Sequence, residues 1–434
     1  RITEVNKTTK SKDIIYTWFE DAAIDQVLND LQEKLGYTSA EANNALYSGG
    51  LQIYLTQSRH IQDIVDSYYN DDDNFPSTEY RLHWALTYKD KDGETVNIDE
   101  NSLQSYYGAD DCDLLYDNED QAKQSIAEFL EAKGITDDDI IAQSFDMTVQ
   151  VQSSFVLMDQ STGYVLALSG GRGEKKTSRS FNRATQSTRQ PGSAMKPIGV
   201  YAPAIQMNIA HFSSLEHDMY ITLPDGSRWP VNYESRLSDN GYTPLEVALQ
   251  KSLNTVPVRL LQEVTPQRSF DFLTGPLGLT SLVTSLETES GLRTDIDLAP
   301  LALGGLTKGV YCRDMAAAYQ VFGNGGTYNK PYTFYRVTDS EGEELLKGGT
   351  QMTVQALDTD SAYVMNRLLQ RVIRGPSGTG RGLQGSWSGD WGVFAKTGTT
   401  SDNKDVYFAG GTPYFVGACW FGYDDNQQMI SSQT

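Results

Sequence analysis

The segment of residues 190–197 carries a serine and a lysine at a spacing that suits nucleophilic catalysis. Ser193 follows Gly192, and Lys196 comes three residues later. Side chains at positions i and i+3 share one face of a helical turn, so the hydroxyl and the amine are expected to be neighbours. A serine needs a base beside it, and a lysine is such a base only if burial or a nearby cation lowers its pKa. Free N–H groups at a helix start also favour an oxyanion, so the segment predicts serine acyl chemistry. Alone, S-x-x-K is common by chance and also describes a capping serine beside a surface lysine.

A second segment, residues 251–254, places a hydroxyl and an amide close together. Ser252 and Asn254 are two residues apart, so on a bent or extended turn their side chains point the same way. The pair can contribute to a polar site, and an ordinary helix-boundary cap explains it as well.

A third segment, residues 394–400, is a predicted strand that ends in polar residues. Lys396 offers a positive charge, and Thr397 and Thr399 offer hydroxyl groups to a carboxylate. Gly398 removes a side chain where the backbone of a substrate would have to approach. A plain strand end is the alternative for this segment taken alone.

The elements around these segments predict a mixed fold. Apolar periodicity predicts helices over residues 13–35, 58–69 and 119–133, the last ended by Gly134, and helices dominate residues 193–330. Strands are predicted at residues 51–55, 80–88, 94–98, 155–158, 164–168, 393–397, 406–409 and 414–420. Strands at both ends of a helical region indicate an α+β protein in which an antiparallel sheet, built from distant pieces, packs on a helical lobe.

Charge and length restrict the class of protein. The chain has 434 residues with 35 Lys+Arg and 57 Asp+Glu, a formal net charge of -22, and its length indicates two to three domains. Residues 61–150 alone hold 23 acidic and 5 basic residues. A phosphate backbone is repelled by such a charge, so nucleic-acid binding is not expected. No apolar run reaches the length of about 18 residues that a membrane span needs.

Cysteine and histidine usage argues against metal and cofactor chemistry. The 3 cysteines are far apart without a C-x-x-C, and the 4 histidines form no H-E-x-x-H, so neither a disulfide framework nor a zinc site is expected. A G-x-G-x-x-G occurs at residues 380–385, but no helical pattern follows it, which argues against a dinucleotide site. We therefore expect neither a metal nor a cofactor.

The three segments together resemble a known family. S-x-x-K, S-x-N and K-T-G-T occur in the order found in penicillin-binding proteins, the serine D,D-transpeptidases of peptidoglycan synthesis. The flanking residues 181–184, 316–326 and 405–424 resemble the bifunctional class A members. The resemblance covers about residues 151–424, and residues 49–62 resemble the linker that follows the glycosyltransferase domain in those proteins. The second motif reads S-L-N rather than S-D-N, which favours a penicillin-binding protein over a class A β-lactamase.

The resemblance implies a fold and three regions. The fold is the α+β penicillin-binding protein or serine β-lactamase-like transpeptidase fold, in which an antiparallel sheet is flanked by helices and joined to an all-helical lobe, with a small N-terminal α+β linker domain. Residues 1–69 are expected to be the linker region after a glycosyltransferase domain that lies outside this chain. Residues 70–150 are expected to be an acidic inserted α+β subdomain, and residues 151–434 the penicillin-binding transpeptidase domain.

The resemblance also implies catalytic roles. Ser193 corresponds to the nucleophile that is acylated by the D-Ala-D-Ala end of a stem peptide or by a β-lactam. Lys196 corresponds to its general base, and Ser252 to the residue that relays a proton to the leaving group. Asn254 corresponds to the amide that holds the substrate's peptide bond, and Lys396 to the charge that tunes Ser252 and Lys196.

Substrate binding is implied for the rest of the K-T-G-T segment. Thr397 and Thr399 correspond to hydroxyls that bind the terminal carboxylate, and Gly398 lies between them in the substrate-binding strand. The backbone N–H groups of Ser193 and Thr399 correspond to the oxyanion hole.

The implied partners are peptidoglycan stem peptides and β-lactam antibiotics, with cell-wall synthesis proteins as further candidates. The implied location is the extracytoplasmic face of the bacterial cell membrane. The chain begins with Arg1, and we interpret it as part of a longer protein whose N-terminal segment carries the membrane anchor. A β-lactamase-like hydrolase or D,D-carboxypeptidase on the same fold is the alternative activity, and a non-catalytic β-lactam-sensing or scaffold module is the non-enzymatic one. The role of residues 70–150 stays open.

Overall fold

The computed structural model describes residues 15–429 apart from residues 77, 109–111, 235, 349–352 and 387–391. The α-helices of these residues are α1 (Trp18–Leu35), α2 (Ser39–Ser48), α3 (Arg59–Tyr69), α4 (Glu100–Tyr107), α5 (Glu119–Lys133), α6 (Ala202–Gln206), α7 (Leu245–Gln250), α8 (Thr255–Val264), α9 (Pro266–Thr274), α10 (Leu298–Leu303), α11 (Cys312–Tyr319) and α12 (Thr359–Arg374).

The strands of the same residues pair antiparallel. They are β1 (Gln52–Leu55), β2 (Glu79–Lys89), β3 (Thr95–Asp99), β4 (Leu115–Tyr116), β5 (Ile140–Gln150), β6 (Gln152–Asp159), β7 (Val165–Ser169), β8 (Thr188–Arg189), β9 (Leu215–His217), β10 (Ile221–Thr222), β11 (Arg228–Trp229), β12 (Tyr242–Pro244), β13 (Leu286–Thr288), β14 (Gly291–Arg293), β15 (Val310–Tyr311), β16 (Thr327–Asn329), β17 (Phe334–Thr338), β18 (Glu344–Lys347), β19 (Thr353–Gln355), β20 (Phe394–Thr399), β21 (Asp405–Gly411) and β22 (Phe415–Gly422).

A five-stranded sheet is the framework of the molecule. Its order is β20-β21-β22-β6-β7, so strands from the end of the chain lie beside strands from its middle. Helix α11 packs on one face of the sheet, α3 packs against β7, and α12 packs beside β20. Strand residues alternate between the two faces: in β22, Val416, Ala418 and Trp420 are buried in the main core. The predicted α+β class, with an antiparallel sheet flanked by helices, is confirmed.

The helical lobe contains short ribbons that the sequence did not predict. Strands β9 and β12, β10 and β11, and β13 and β14 form two-stranded pairs between the lobe's helices. The β10–β11 pair closes through Asp225 and Gly226, where Gly226 has φ +83°. Each of these strands has only 2 or 3 residues, too few to show an apolar period. The lobe is therefore mainly rather than entirely helical.

Helix α1 begins later than the apolar pattern suggested. Thr17 accepts a hydrogen bond from the N–H of Glu20, and the Glu20 carboxylate accepts one from the N–H of Thr17. This capping box fixes the first turn at Trp18. Residues 15–17 are not helical, and residues 13 and 14 lie outside the described part of the chain. Helix α5 spans the predicted residues 119–133.

The acidic region has a separate core. Strands β2 to β5 form one sheet that α4 and α5 cover, and Leu82, Trp84 and Phe129 are buried between them. By contrast, β1 pairs with β17 and α3 packs on β7. Parts of residues 15–69 therefore belong to the same structural layers as strands that come after residue 150. The division into residues 1–69, 70–150 and 151–434 stays a proposal, and its outermost residues lie outside the described ones.

Among the described residues, none of the helices combines the length and the apolar composition needed to cross a membrane.

We expect Phe129→Ala to loosen the acidic region alone. Phe129 is buried and meets Trp84 edge-on at 6.0 Å between ring centroids, so removing its ring should cost about 3–5 kcal/mol of local stability. Hydrogen exchange should show faster exchange in β2 and α5 and unchanged protection in β21 and β22. Equal loss of protection in β21 and β22 would contradict the proposed boundary near residue 150.

Candidate active site

Ser193 lies in a tight helical turn at the start of a buried segment. A 3-10 turn spans Gly192–Met195, Lys196 follows, and a π-helical turn over Pro197–Tyr201 leads into α6. Gly192 has φ +51°, a conformation that favours glycine. Ser193 is only partly buried, whereas Lys196 is fully buried. The turn therefore leaves the hydroxyl accessible and directs the amine into the protein.

Three glycines let the chain segments of the site approach each other. A Cβ on Gly398 would lie 2.1 Å from the Pro191 carbonyl oxygen, and a Cβ on Gly192 would lie 2.6 Å from that of Thr399. A Cβ on Gly304 would lie 2.1 Å from the Gly192 carbonyl oxygen. These distances are shorter than any real Cβ contact. Because no side chain intervenes, the backbones of strand β20 and of the segment after α10 pack directly against the backbone of the Ser193 turn.

Lys196 joins the first motif to the second. Its Nζ donates to the Ser252 carbonyl oxygen at 2.7 Å and to Asn254 Oδ1 at 2.7 Å, and lies 3.3 Å from Ser252 Oγ. A neutral amine has two N–H groups and one lone pair. The two carbonyl oxygens occupy the N–H groups, so the lone pair remains available to accept a proton from a hydroxyl.

Lys396 also lies close to Ser252. Its Nζ lies 2.9 Å from Ser252 Oγ and 2.8 Å from the Thr397 carbonyl oxygen. Ser252 Oγ is therefore within hydrogen-bonding distance of two amines. Ser252 has φ +55°, which is uncommon for a residue with a side chain. Such strained conformations occur at functional sites, where the surrounding contacts maintain them.

Burial lowers the pKa of both amines. The pKa of Lys196 is well below its usual range because the group is desolvated and, to a smaller extent, because Lys396 is nearby. Desolvation lowers the pKa of Lys396 to about 7. Both shifts favour the uncharged amine at neutral pH, compared with an exposed lysine.

Asn254 is held by residues that the sequence analysis missed. Its Nδ2 donates to the Val231 carbonyl oxygen at 2.7 Å, and its backbone N–H donates to Asn232 Oδ1 at 2.8 Å. Asn232 Nδ2 in turn donates to Asp218 Oδ1 at 2.9 Å, and the Thr255 hydroxyl donates to the same carboxylate. Asn254 thus positions Lys196, and the buried Asn232 and Asp218 position Asn254. Isolated polar residues with no motif spacing gave no signal for this role.

The backbone of Thr399 faces the free edge of the sheet. The N–H of Thr400 donates to the Asp405 carbonyl oxygen of the neighbouring strand. Because successive residues of a strand direct their N–H groups to opposite edges, the N–H of Thr399 points away from β21. The Gly192–Ser193 turn lies on that side. The N–H of Ser193 is one of the first donors of its helical turn, which have no partner within the turn.

The structure brings the predicted residues together, with one difference in direction. Lys396 and Gly398 face the Ser193 turn, where they contact Ser252 and Ala194. Thr397 lies on the other face of β20, and its Oγ1 is 2.7 Å from Thr379 Oγ1. The side chain of Thr399 is exposed at the strand end. Within the described residues no group of three or more His, Cys, Asp or Glu side chains could hold a metal ion.

This arrangement can perform acyl transfer. It presents an accessible hydroxyl, a buried amine whose lowered pKa favours the uncharged form of a base, a second hydroxyl close to both amines, and two backbone N–H groups for an oxyanion. No electron carrier or metal is needed for such a reaction.

Comparison with known proteins identifies relatives over the same residues. The family model described as penicillin binding protein transpeptidase domain matches residues 153–431. Penicillin-binding protein 1A of Clostridium acetobutylicum is 30% identical over 427 residues, which are 95% of this chain and 42% of that protein. Penicillin-binding protein 1F of Bacillus subtilis is 31% identical over 278 residues, or 64% of this chain and 36% of that protein. The chain thus spans less than half the length of these relatives.

Solved structures share the fold. The PonA1 protein of Mycobacterium tuberculosis in complex with penicillin V matches 96% of this chain and 88% of that one, with a TM-score of 0.63 and 19% identity. Penicillin-binding protein 1A from Haemophilus influenzae matches 94% of this chain and 66% of that one, with a TM-score of 0.60 and 20% identity.

We expect Lys396→Met to raise the melting temperature most at low pH. The pKa of Lys396 is about 7 in the folded protein and about 10.4 in an unfolded chain. The unfolded state therefore binds more protons between these values, and the cost of burying the amine is fully present below about pH 7 and disappears above about pH 10. Melting curves at about pH 6 and pH 10 should show a variant-minus-parent difference that shrinks as the pH rises. The exposed Lys91→Met is the control, and an equal difference at both pH values would contradict the expectation.

Proposed function

The chain belongs to the family of penicillin-binding protein transpeptidase domains, and from this premise we propose that it is a D,D-transpeptidase. In this proposal Ser193 takes up the acyl group of a stem peptide that ends in D-Ala-D-Ala, or of a β-lactam, and passes it to an amine of a second peptide. The product is a cross-link in peptidoglycan.

One observation carries the proposal: the fully buried Lys196 amine donates to two carbonyl oxygens and lies three residues from an accessible serine. A scaffold or sensor without catalysis has no use for a desolvated amine at this place, since burying it costs stability. An amine with a lowered pKa is, in contrast, what a serine nucleophile requires of its base.

In the acylation step Ser193 Oγ attacks the carbonyl carbon of the D-Ala-D-Ala bond. The hydroxyl proton passes to Lys196 Nζ, and the oxyanion accepts hydrogen bonds from the N–H groups of Ser193 and Thr399. Two donors aimed at a developing charge are strong contributors, because removing one such donor in other enzymes lowers kcat about 100- to 1,000-fold.

Collapse of the intermediate breaks the C–N bond and leaves an ester on Ser193. The departing D-Ala nitrogen takes a proton from the Ser252 hydroxyl, and Lys196 returns its extra proton to Ser252 across the 3.3 Å contact. Lys396 supports this relay, since its donor group 2.9 Å from Ser252 Oγ stabilises negative charge there. An amine then attacks the ester by the same steps in reverse, which restores the Ser193 hydroxyl.

The substrate's terminal carboxylate is proposed to bind at the end of β20. Lys396 supplies positive charge when protonated, and the hydroxyls of Thr397 and Thr399 supply donors. Gly398 lets the peptide backbone approach the strand. Asn254 is proposed to contact the scissile amide with the N–H that it does not donate to Val231.

We further propose that the domain acts at the extracytoplasmic face of the bacterial cell membrane, where peptidoglycan stem peptides are found. A longer protein that contains this domain would carry the membrane anchor and a glycosyltransferase domain. Cell-wall synthesis proteins are its candidate partners. The chain spans 42% of the length of two penicillin-binding protein 1A relatives, which therefore contain further segments.

Mass spectrometry after incubation with a penicillin tests the function. The parent chain should gain the mass of one penicillin, and peptide mapping should place it on Ser193. Ser193→Ala should give no adduct, and Lys196→Met should acylate at least about 100-fold more slowly with a cooperative melting transition retained. The exposed Ser39→Ala is the control and should acylate normally.

The lifetime of the adduct separates the candidate activities. A stable adduct favours the transpeptidase, whereas rapid release of opened penicillin would indicate a β-lactamase-like hydrolase. A stable adduct combined with release of D-Ala from a peptide to water alone would indicate a D,D-carboxypeptidase. No adduct and no turnover would reject all of these in favour of a non-catalytic module, and an adduct that survives in Ser193→Ala would reject the nucleophile.

The pH dependence of acylation should depend on Lys396. Acylation needs neutral Lys196, so its rate should fall as acid protonates that amine. The charge of Lys396 is, after burial, the second cause of the lowered Lys196 pKa, so Lys396→Met should move the acid limb of the pH–rate profile to higher pH. A limb that stays in place or moves to lower pH would show that Lys196 does not determine it.

A further inference from the structure

Thr379 forms a hydrogen bond with a proposed substrate-binding residue, although it belongs to none of the three motifs. It lies between α12 and β20, and its Oγ1 is 2.7 Å from Thr397 Oγ1. Both side chains have access to solvent. The pair is therefore accessible to a ligand from outside the protein.

Packing alone does not orient the Thr397 hydroxyl. On its side of β20 the strand borders a cavity of about 810 Å³, which Thr379 and Thr397 also line. The other walls are mostly aromatic and aliphatic, and include Tyr68, Phe75, Phe155, Leu383, Phe408 and Phe421. Among the described residues, Thr379 is the hydrogen-bond partner of the Thr397 hydroxyl. That contact is therefore the interaction that fixes its direction.

Each hydroxyl has one proton, so only one member of the pair can donate to the other. If Thr397 donated to Thr379, its proton would be unavailable to a carboxylate. If Thr379 donates, the Thr397 oxygen accepts within the pair and its own proton is free to point outward. A carboxylate accepts but does not donate, so its arrival selects the second arrangement.

A backbone hydrogen bond to the residues just before the second motif holds Thr379 in place. Its N–H donates to the Gln250 carbonyl oxygen at 3.2 Å, and Gln250 ends α7 two residues before Ser252. A Cβ on Gly375 would lie 2.0 Å from Gln250 Oε1, so the segment after α12 lies tightly against the end of α7. Thr379 thus links the turn of Ser252 to the strand of Lys396.

We propose that Thr379 is a positioning residue for recognition of the substrate carboxylate, acting through the Thr397 hydroxyl. This inference rests on the proposed transpeptidase function. Thr379 takes no part in proton transfer, and its effect is confined to ligands that present an anionic group at the end of β20.

The test compares acylation by a penicillin with acylation by its methyl ester, which lacks the anionic carboxylate. Thr379→Val keeps the shape of the side chain and removes the hydroxyl. It should lower the acylation rate constant for the acid about tenfold, the factor that corresponds to one ordinary hydrogen bond. The rate for the ester should change less than about twofold. Thr379→Ser restores the hydroxyl and should recover most of the rate, and the nearby exposed Ser377→Ala is the matched control.

A double variant makes the test independent of overall folding. Because both hydroxyls act through one hydrogen bond, Thr379→Val combined with Thr397→Val should acylate about as slowly as Thr397→Val alone. Losses that multiply would show that the two residues act separately and would overturn the inference. So would equal losses for acid and ester, which indicate a purely structural role, or an unchanged rate for the acid. Absence of an adduct on the parent chain would overturn the proposed function itself, whereas a normal parent with an insensitive Thr379→Val would overturn only this inference.

Discussion

Two desolvated amines close to one hydroxyl are the constraint on which the site depends. Lys196 and Lys396 are both fully buried, and their Nζ atoms lie 3.3 and 2.9 Å from Ser252 Oγ. Water is excluded from both groups, so the charged form of each is disfavoured, and the charge on one further disfavours a charge on the other. Burial therefore lowers the pKa of each amine, so a larger fraction of it is uncharged and able to accept a proton at neutral pH than in an exposed lysine.

Burial of this kind demands that three distant segments meet without side chains between them. Gly398 contacts the turn of Pro191, Gly192 contacts Thr399, and Gly304 contacts Gly192. A methyl group at any of these places would force the backbones apart and admit solvent to the amines. The five-stranded sheet supplies a rigid wall for this arrangement, and the helical lobe supplies the opposite wall. The lowered pKa values of the two lysines therefore depend on these contacts between backbone segments.

Features that neighbouring residues determine could be predicted from the sequence, whereas features that depend on contacts between distant residues could not. Helix α5 matches its prediction because both of its ends are determined locally, by the Asn118 cap and by Gly134 in a left-handed conformation. The residues of the three motifs stand at characteristic spacings, so they could be identified from the sequence alone. Thr379 and Asn232 carry no such pattern, since their roles arise only from contacts with residues 18 and 22 positions away. The direction of Thr397 likewise depends on the register of β20 against β21.

The position of β20 at the rim of the sheet has a consequence for what the groove accepts. One side of the strand pairs with β21, and within the described part of the chain no strand pairs with its other side, to which the Thr399 N–H points. An extended peptide that aligns there would extend the sheet by one strand and be held mainly through its own backbone. Because such pairing uses the main chain of the peptide, it depends little on most of the peptide's side chains. One groove could then serve chains of varied composition, provided that they share a common terminus.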